Sequence, residues 1–116
     1  MAYTDLVTAL KTLAIPVAEN AFKSRPEVNT YAVVQLDFEA DAFDGDDKKL
    51  DRSFSGSVDL FSFSKNGDGY VSEIEAKLAA YCGPCWSLNS RQWEEGTRLH
   101  HWEWEFEIMD GEAGED

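Results

Sequence analysis

The sequence predicts an α+β domain, because two different periodicities occur in separate parts of the chain. Between Trp102 and Ile108, large apolar residues alternate with glutamates, which is typical of a β-strand with one buried face. Leu6 to Leu13 and Val71 to Tyr81 instead repeat apolar residues at helical spacing. We therefore expect a mostly antiparallel sheet of four to five strands with two helices packed on one face, in the order α-β-β-α-β-β.

Length and charge limit the classes of protein to be considered. With 116 residues the chain is long enough for one domain, which we assign to residues 1–109, followed by an acidic disordered tail at 110–116. Its 23 acids and 10 bases give a net charge of -13, which argues against nucleic-acid binding and is typical of a solubilising or polyanion-repelling surface. The sequence has no run of ~18 apolar residues and no secretory signal pattern, so we expect a cytoplasmic protein with reduced thiols.

One helix and one strand are predicted in the first third of the chain. Thr4 can cap the helix, Asp5 suits its positive end, and Pro16 ends it. The next segment, Val17 to Pro26, is either a short strand or an irregular crossing. Tyr31 to Phe38 is rich in β-branched and aromatic residues and is predicted to be a strand.

The middle of the chain is predicted to contain an acidic loop and a long strand. Glu39 to Asp51 holds many carboxylates without the register of a calcium site, and residues 44–47 favour a turn or a long hairpin tip. Leu50 to Phe63 alternates again and is predicted to be a strand with a bulge at Gly56.

A second helix and a hairpin are predicted to complete the domain. Residues 65–69 break the long strand, and the helix after them is stopped by Gly83 and Pro84. Trp86 to Trp93 and Thr97 to Ile108 then form two strands around a turn at residues 94–96. We expect the last strand to lie centrally or next to an edge of the sheet.

The segment Ser64 to Glu75 matches an EF-hand calcium loop at several positions, including a glycine at the sixth and a glutamate at the twelfth. Its first position is a serine instead of an aspartate, and a strand precedes it where an EF-hand has a helix. We therefore favour a strand-to-helix turn, with Asp68 or Ser72 as the helix cap. The candidate calcium ligands are Asn66, Asp68, Tyr70 and Glu75.

The sequence Cys82-Gly83-Pro84-Cys85 has the letters of a thioredoxin dithiol. In thioredoxins this pair opens a helix, whose positive end lowers the pKa of the first thiol. Here it is predicted to close a helix and precede a strand, which disfavours the thiolate of Cys82. We interpret it as a helix-stop turn.

The sequence disfavours both zinc binding and catalysis. His100 and His101 are adjacent in a strand and point to opposite faces, so only one of them can join Cys82 and Cys85, and no fourth ligand is evident. No catalytic triad and no phosphate-binding glycine loop is recognisable. We predict no catalytic residues, no cofactor and no metal.

Taken in order, these elements resemble the tail terminator or tail-completion proteins of long-tailed bacteriophages and prophages. The resemblance covers most of the chain: the T-D-L-V-T-A-L-K helix with I-P-V-A, the Y-A-V-V-Q-L-D and S-G-S-V-D-L-F strands, the V-S-E-I-E-A-K-L helix and the W-E-W-E-F-E strand. It depends on element order and texture and not on a ligand motif. The turn at Cys82 to Cys85 is not part of it.

The resemblance implies a structural virion-assembly protein without enzymatic activity. Such proteins form a ring, which we expect to be a hexamer, at the head-proximal end of the tail tube and join the tail to the head. The implied partners are further copies of the chain, the tail tube protein and the head-tail connector, with no membrane. The implied location is the host cytoplasm during assembly and then the virion tail.

The charged face of the last strand has a possible role in such a ring. DNA would cross the opening as a passing polyanion, and fixed carboxylates on the wall would repel it. The candidate channel-lining residues are Glu103, Glu105 and Glu107, with Asp37 and Asp59 as neighbours on adjacent strands; the alternative is a face that is simply in contact with water. The alternative functions are another connector or tail tube protein, a calcium-binding interaction module using Ser64 to Glu75, and a small redox protein using Cys82 and Cys85.

Overall fold

The computed structural model describes residues 3–43 and 49–110, which form one mixed five-stranded sheet and two α-helices. The strands lie in the order β1-β2-β3-β5-β4. No helix within these described ranges is long and apolar enough to cross a membrane. The elements are α1 (Tyr3–Leu10), β1 (Val17–Glu19), β2 (Thr30–Phe43), β3 (Lys49–Ser62), a 3-10 turn (Gly67–Gly69), α2 (Tyr70–Cys82), β4 (Trp86–Glu94) and β5 (Leu99–Asp110).

The predicted α+β class is confirmed, but the predicted order α-β-β-α-β-β is matched only in part, because β1 is a third strand before α2. The pairing of this strand also differs from the antiparallel pairing of the others. β2, β3, β5 and β4 are joined by antiparallel ladders, whereas β1 pairs with β2 in parallel. The sheet is therefore mixed. The sequence left undecided whether the segment Val17 to Pro26 is a short strand or an irregular crossing. β1 occupies only the start of this segment.

Both helices pack on one face of the sheet. The main core cluster joins buried side chains of α1, such as Leu6, and of α2, such as Leu78, to residues of β2, β3 and β5. Trp104 lies at its centre and is fully buried. The sheet residues of this cluster are Ala32, Val34, Phe54, Val58, Leu60, Trp102, Trp104, Phe106 and Ile108.

α1 ends earlier than the predicted stop at Pro16. After Leu10 the backbone bonds tighten to the 3-10 type, and the Thr12 hydroxyl donates to the Ala9 carbonyl at 2.6 Å, which competes with a further α-helical turn. Thr4 lies inside the helix and is not its cap, since the helix already includes Tyr3. Burial of the Tyr3 ring explains this earlier start.

The strands of the β2–β3 hairpin extend into the segment that was predicted to be an acidic loop. β2 continues to Phe43 and β3 starts at Lys49, with Ala40 opposite Ser53 in the ladder. The loop prediction was wrong because these residues are paired across the two strands, and the local composition of a segment does not show such pairing. The turn predicted at residues 44–47 lies outside the described residues.

The bulge lies on β2 and not at Gly56 of β3 as predicted. Leu36 pairs with Gly56 and Phe38 pairs with Ser55, so Asp37 is the extra residue. Gly56 has a different role, because a Cβ atom there would lie 2.1 Å from the Gln35 carbonyl oxygen and 2.8 Å from Cζ of Phe106. A side chain at this position is sterically excluded.

The second half of the chain follows the prediction closely. α2 ends at Cys82, with Gly83 at φ 59 donating its N–H to the Ala79 carbonyl. β4 and β5 form the predicted hairpin, and β5 lies next to the edge strand β4. Asp110 belongs to β5 and not to the predicted tail, and residues 111–116 lie outside the described ranges.

Candidate functional site

The candidate site is the sheet face opposite the helices, called here the open face and made of the outward-pointing residues of β2, β3, β4 and β5. On β5 it carries the three predicted glutamates. Glu105 and Glu107 are exposed and Glu103 is half-buried, while their neighbours Trp104 and Phe106 are buried. The predicted alternation is therefore confirmed. A role of these glutamates in lining a channel stays a prediction.

Of the two carboxylates predicted on adjacent strands, Asp59 lies on β3 next to β5, whereas Asp37 lies on β2, which β3 separates from β5. Asp59 is the direct cross-strand partner of Glu103. Asp37 lines a shallow groove of about 640 Å³ together with Glu105 and Glu107. Polar neighbours donate to two of the glutamates, Asn89 to Glu103 at 3.2 Å and the Ser53 hydroxyl to Glu107 at 2.9 Å. This half of the open face is consequently acidic and wet.

His101 lies between two carboxylates on the other half of the open face. Its Nε2 is 2.7 Å from Oδ1 of Asp59 on β3, and its Nδ1 is 2.9 Å from Oε2 of Glu94 on β4. Burial lowers the pKa of His101, but the hydrogen bonds and charges of Asp59 and then Glu94 outweigh burial and raise the pKa above its ordinary value. When the ring is protonated, it donates to both carboxylates and ties three strands together.

A row of aromatic rings continues from His101 across the sheet. The centroid of the Phe61 ring is 4.2 Å from that of His101 and 5.0 Å from that of Tyr31. Phe22, in the connection between β1 and β2, meets Tyr31 edge to face. Burial raises the pKa of Tyr31, Arg25 opposes the rise, and Glu94 adds to it. The row covers one end of the open face with packed aromatic rings.

The calcium-like loop forms the strand-to-helix turn that the sequence favoured. The Asp68 carboxylate accepts hydrogen bonds from Asn29, at 2.6 Å, and from Thr30. These bonds, with one from Ser64, hold the pKa of Asp68 below its ordinary value. Asp68 has φ 57, and the residue at the N-cap of α2 is Gly69, so neither Asp68 nor Ser72 caps the helix.

Three of the four candidate calcium ligands have other hydrogen-bond partners. The Glu75 carboxylate accepts a hydrogen bond from the indole N–H of Trp104 at 2.9 Å, and Asp68 is engaged as described. Asn66 accepts from the backbone N–H of Asp68 at 3.0 Å. Tyr70, the fourth candidate, packs against the core cluster. Within residues 3–43 and 49–110, no group of three or more His, Cys, Asp or Glu residues is placed to hold a metal ion.

The two cysteines lie at the end of α2, as predicted from the order of the elements. Cys82 is buried and Cys85 is exposed, and both are free thiols. Burial, with a smaller contribution from Cys85, raises the pKa of Cys82 to about 11. A thiol with this pKa is a poor nucleophile at neutral pH.

The adjacent histidines lie on opposite faces of β5, as predicted. His100 lies on the helix side, 4.7 Å from Trp93 and 6.1 Å from Trp102 between ring centroids, whereas His101 lies on the open face. The partners of His101 were not predicted from the sequence. The alternation of each strand shows in the sequence that Asp59 and His101 point away from the core. Their direct contact, however, depends on the register of β3 against β5.

The open face therefore combines a wet carboxylate ladder with a clamped histidine and an aromatic row. Such a surface repels anions and has the form of an interaction surface. Comparison of the sequence with models of known protein families and with curated proteins finds no match to either.

Proposed function

We propose that this chain is a structural virion-assembly protein of the tail-terminator type. In this proposal it forms a hexameric ring at the head-proximal end of the tail tube and joins the tail to the head. It acts by assembly and not by catalysis. It is made in the host cytoplasm and ends in the virion tail, where its partners are copies of itself, the tube protein and the head-tail connector.

The single observation that carries the proposal is the one-sided cover of the sheet. Both helices contribute to one core cluster with the inward side chains of the sheet, while Glu105 and Glu107 are exposed on the other face. A ring of such subunits with the helices outward presents the carboxylates to its opening. The order of helices and long strands, on which the resemblance depends, also supports the proposal.

The open face suits a passage for DNA on electrostatic grounds. Phosphates and carboxylates repel each other, and the repulsion acts over roughly 8 Å at physiological ionic strength. A wall lined by Glu103, Glu105 and Glu107 would therefore keep DNA from adhering to it. DNA is a passing polyanion in this account and not a ligand.

The test uses tail tubes of the phage or prophage that encodes the chain. Purified protein is added to tubes that were assembled without it, and the tubes are imaged by electron microscopy. The proposal predicts added density at one end of each tube. Binding along the whole length would indicate a tube protein instead, and absence of binding would contradict the proposal.

A further inference from the structure

Along two edges of the sheet, the described residues provide no further strand that pairs with the outer backbone. β4 is an outer strand of 9 residues that pairs with β5 on one side only. On the other side of the sheet, β1 covers β2 from Ala32 to Val34 and leaves residues 35–43 of β2 open. The N–H and C=O groups along such edges can pair with a further strand. We call Val17–Glu19 together with residues 35–43 the β1–β2 edge.

The directions of the strands make the two edges suitable for each other. Successive antiparallel pairings from β2 through β3 and β5 to β4 leave β4 running opposite to β2, and β1 runs with β2. Two copies placed side by side in the same orientation therefore bring β4 of one copy antiparallel to the β1–β2 edge of the next. Antiparallel ladders are the more stable kind, and a contact between two different surfaces can repeat around a ring.

The side chains on the two edges are also complementary. Leu88 and Trp93 on β4 are 44% and 50% exposed, and they are two of only four large apolar side chains so exposed in the described part of the chain. Arg91 between them is exposed on the helix side, where its guanidinium lies over the Trp102 ring and donates to the Lys65 carbonyl at 3.2 Å. On the β1–β2 edge, Glu19 pairs with the buried Val34 and so places the opposite charge on the same side of the sheet, 3.9 Å from Lys11. Asp37 instead faces the groove of the open face.

Bulges restrict which strand can pair with either edge. Asp37 interrupts the ladder of β2, and the register of β4 shifts between Leu88 and Ser90. Interrupted edges discourage indiscriminate pairing, so a partner strand has to match them. Such edges suit one defined partner.

We propose that β4 of one copy pairs antiparallel with the β1–β2 edge of the next copy, so that the sheet continues from subunit to subunit. This inference rests on the proposed ring function for its partner, a second copy of the chain. Beyond the ring itself, the inference specifies which strands of neighbouring copies meet and in which relative direction they run.

The row of direct cross-strand partners identifies positions for cross-linking. Ala18, Val33, Asp59, Glu103 and Ser90 are successive partners from one edge of the sheet to the other. If adjacent copies are level, Ser90 of one copy faces Ala18 of the next. If they are staggered along the strands, Ser90 lies nearer Asp37 of the next copy.

The experiment mixes variants of the full chain that each carry one introduced cysteine in a Cys85→Ser background. Cys82 can remain, because it is buried and its pKa is raised to about 11. Ser90→Cys is combined with Ala18→Cys or with Asp37→Cys, each pair differing in a mass tag, and treated with a short thiol cross-linker over a range of protein concentrations. Ser72→Cys, at an exposed position of α2, is the matched control.

The proposal predicts a mixed dimer of Ser90→Cys with Ala18→Cys or Asp37→Cys, several-fold above the yield with Ser72→Cys. Dimers of Ser90→Cys alone would show β4 facing β4 and would overturn it. No mixed dimer above the control at any concentration would overturn it too. A mixed dimer without binding to tail tubes would leave the edge pairing in place and contradict the proposed function. Tubes capped at one end without a mixed dimer would support the proposed function and contradict the edge pairing.

Discussion

At the scale of single residues, Gly56 is the position where the backbone geometry tolerates least change. The Gly56→Ala variant is expected to lose about 1–3 kcal/mol of unfolding free energy or more, because its Cβ would overlap a backbone carbonyl that cannot move without breaking the β2–β3 ladder. Urea unfolding measures the loss. Gly96→Ala is the matched control, since nothing lies within 4 Å of a Cβ there. Equal stability of both variants would contradict the packing of β2 against β3.

His101 predicts a pH dependence of stability. A pKa that is raised in the folded state contributes stability that is complete below the unfolded-state value of 6.5 and is lost as the pH rises through the folded-state pKa. His101→Gln is therefore expected to be less stable than the unchanged protein at about pH 5.5, by about 1–3 kcal/mol, with a smaller difference at about pH 8.5. Denaturant unfolding across this range measures the difference.

The control for that experiment is His100→Gln, which changes a histidine on the other face of the same strand. No carboxylate partner of His100 appears among the hydrogen bonds and ion pairs of the described residues. This variant makes the same change of side chain and leaves the contacts of His101 with Asp59 and Glu94 in place. If the loss in His101→Gln were the same at both pH values, the clamp by Asp59 and Glu94 would be wrong.

Residue-scale prediction from the sequence succeeded where it needed only local periodicity. The outward parity of Glu103, Glu105 and Glu107 follows from alternation alone. The contact of His101 with Asp59 joins residues that are 42 positions apart. It depends on a strand register that one sequence does not specify, and so it could not be predicted.

At the scale of the elements, β5 holds most of the large aromatic side chains of the core. Truncation of Trp102, Trp104 or Phe106 to Ala is expected to cost about 3–5 kcal/mol each. Their exposed fractions are 2%, 0% and 4%. Thermal melts measure the loss, and Trp93→Ala, with the side chain 50% exposed, is the control that should lose much less. A near-zero loss at a β5 position would mean that its side chain faces away from the core.

The elements that were predicted least well are those whose formation depends on distant pairing. The outer part of the β2–β3 hairpin has a loop-like acidic composition, yet its backbone is paired across the two strands. β1 has only three residues, and its parallel pairing with β2 is a tertiary contact. α2 and the β4–β5 hairpin were predicted well because local signals, such as Gly83 and the alternation in β5, define their ends.

At the scale of the whole molecule, the account assigns the net charge of -13 partly to the open face. The triple variant Glu103→Lys, Glu105→Lys and Glu107→Lys should fold nearly as well as the unchanged chain, because these side chains lie on the wet face. It should slow DNA ejection or lower infectivity if this face lines the channel. Normal tail joining with normal ejection would remove the channel-lining role and leave the terminator proposal in place.

We propose that the chain works by assembling with copies of itself at the end of a tail tube. Analytical ultracentrifugation of the purified chain, alone and mixed with the tail tube protein, tests this proposal. We expect a discrete ring-sized species in at least the mixture, with the mass of a hexamer plus any bound tube protein. A monomer under both conditions would contradict it.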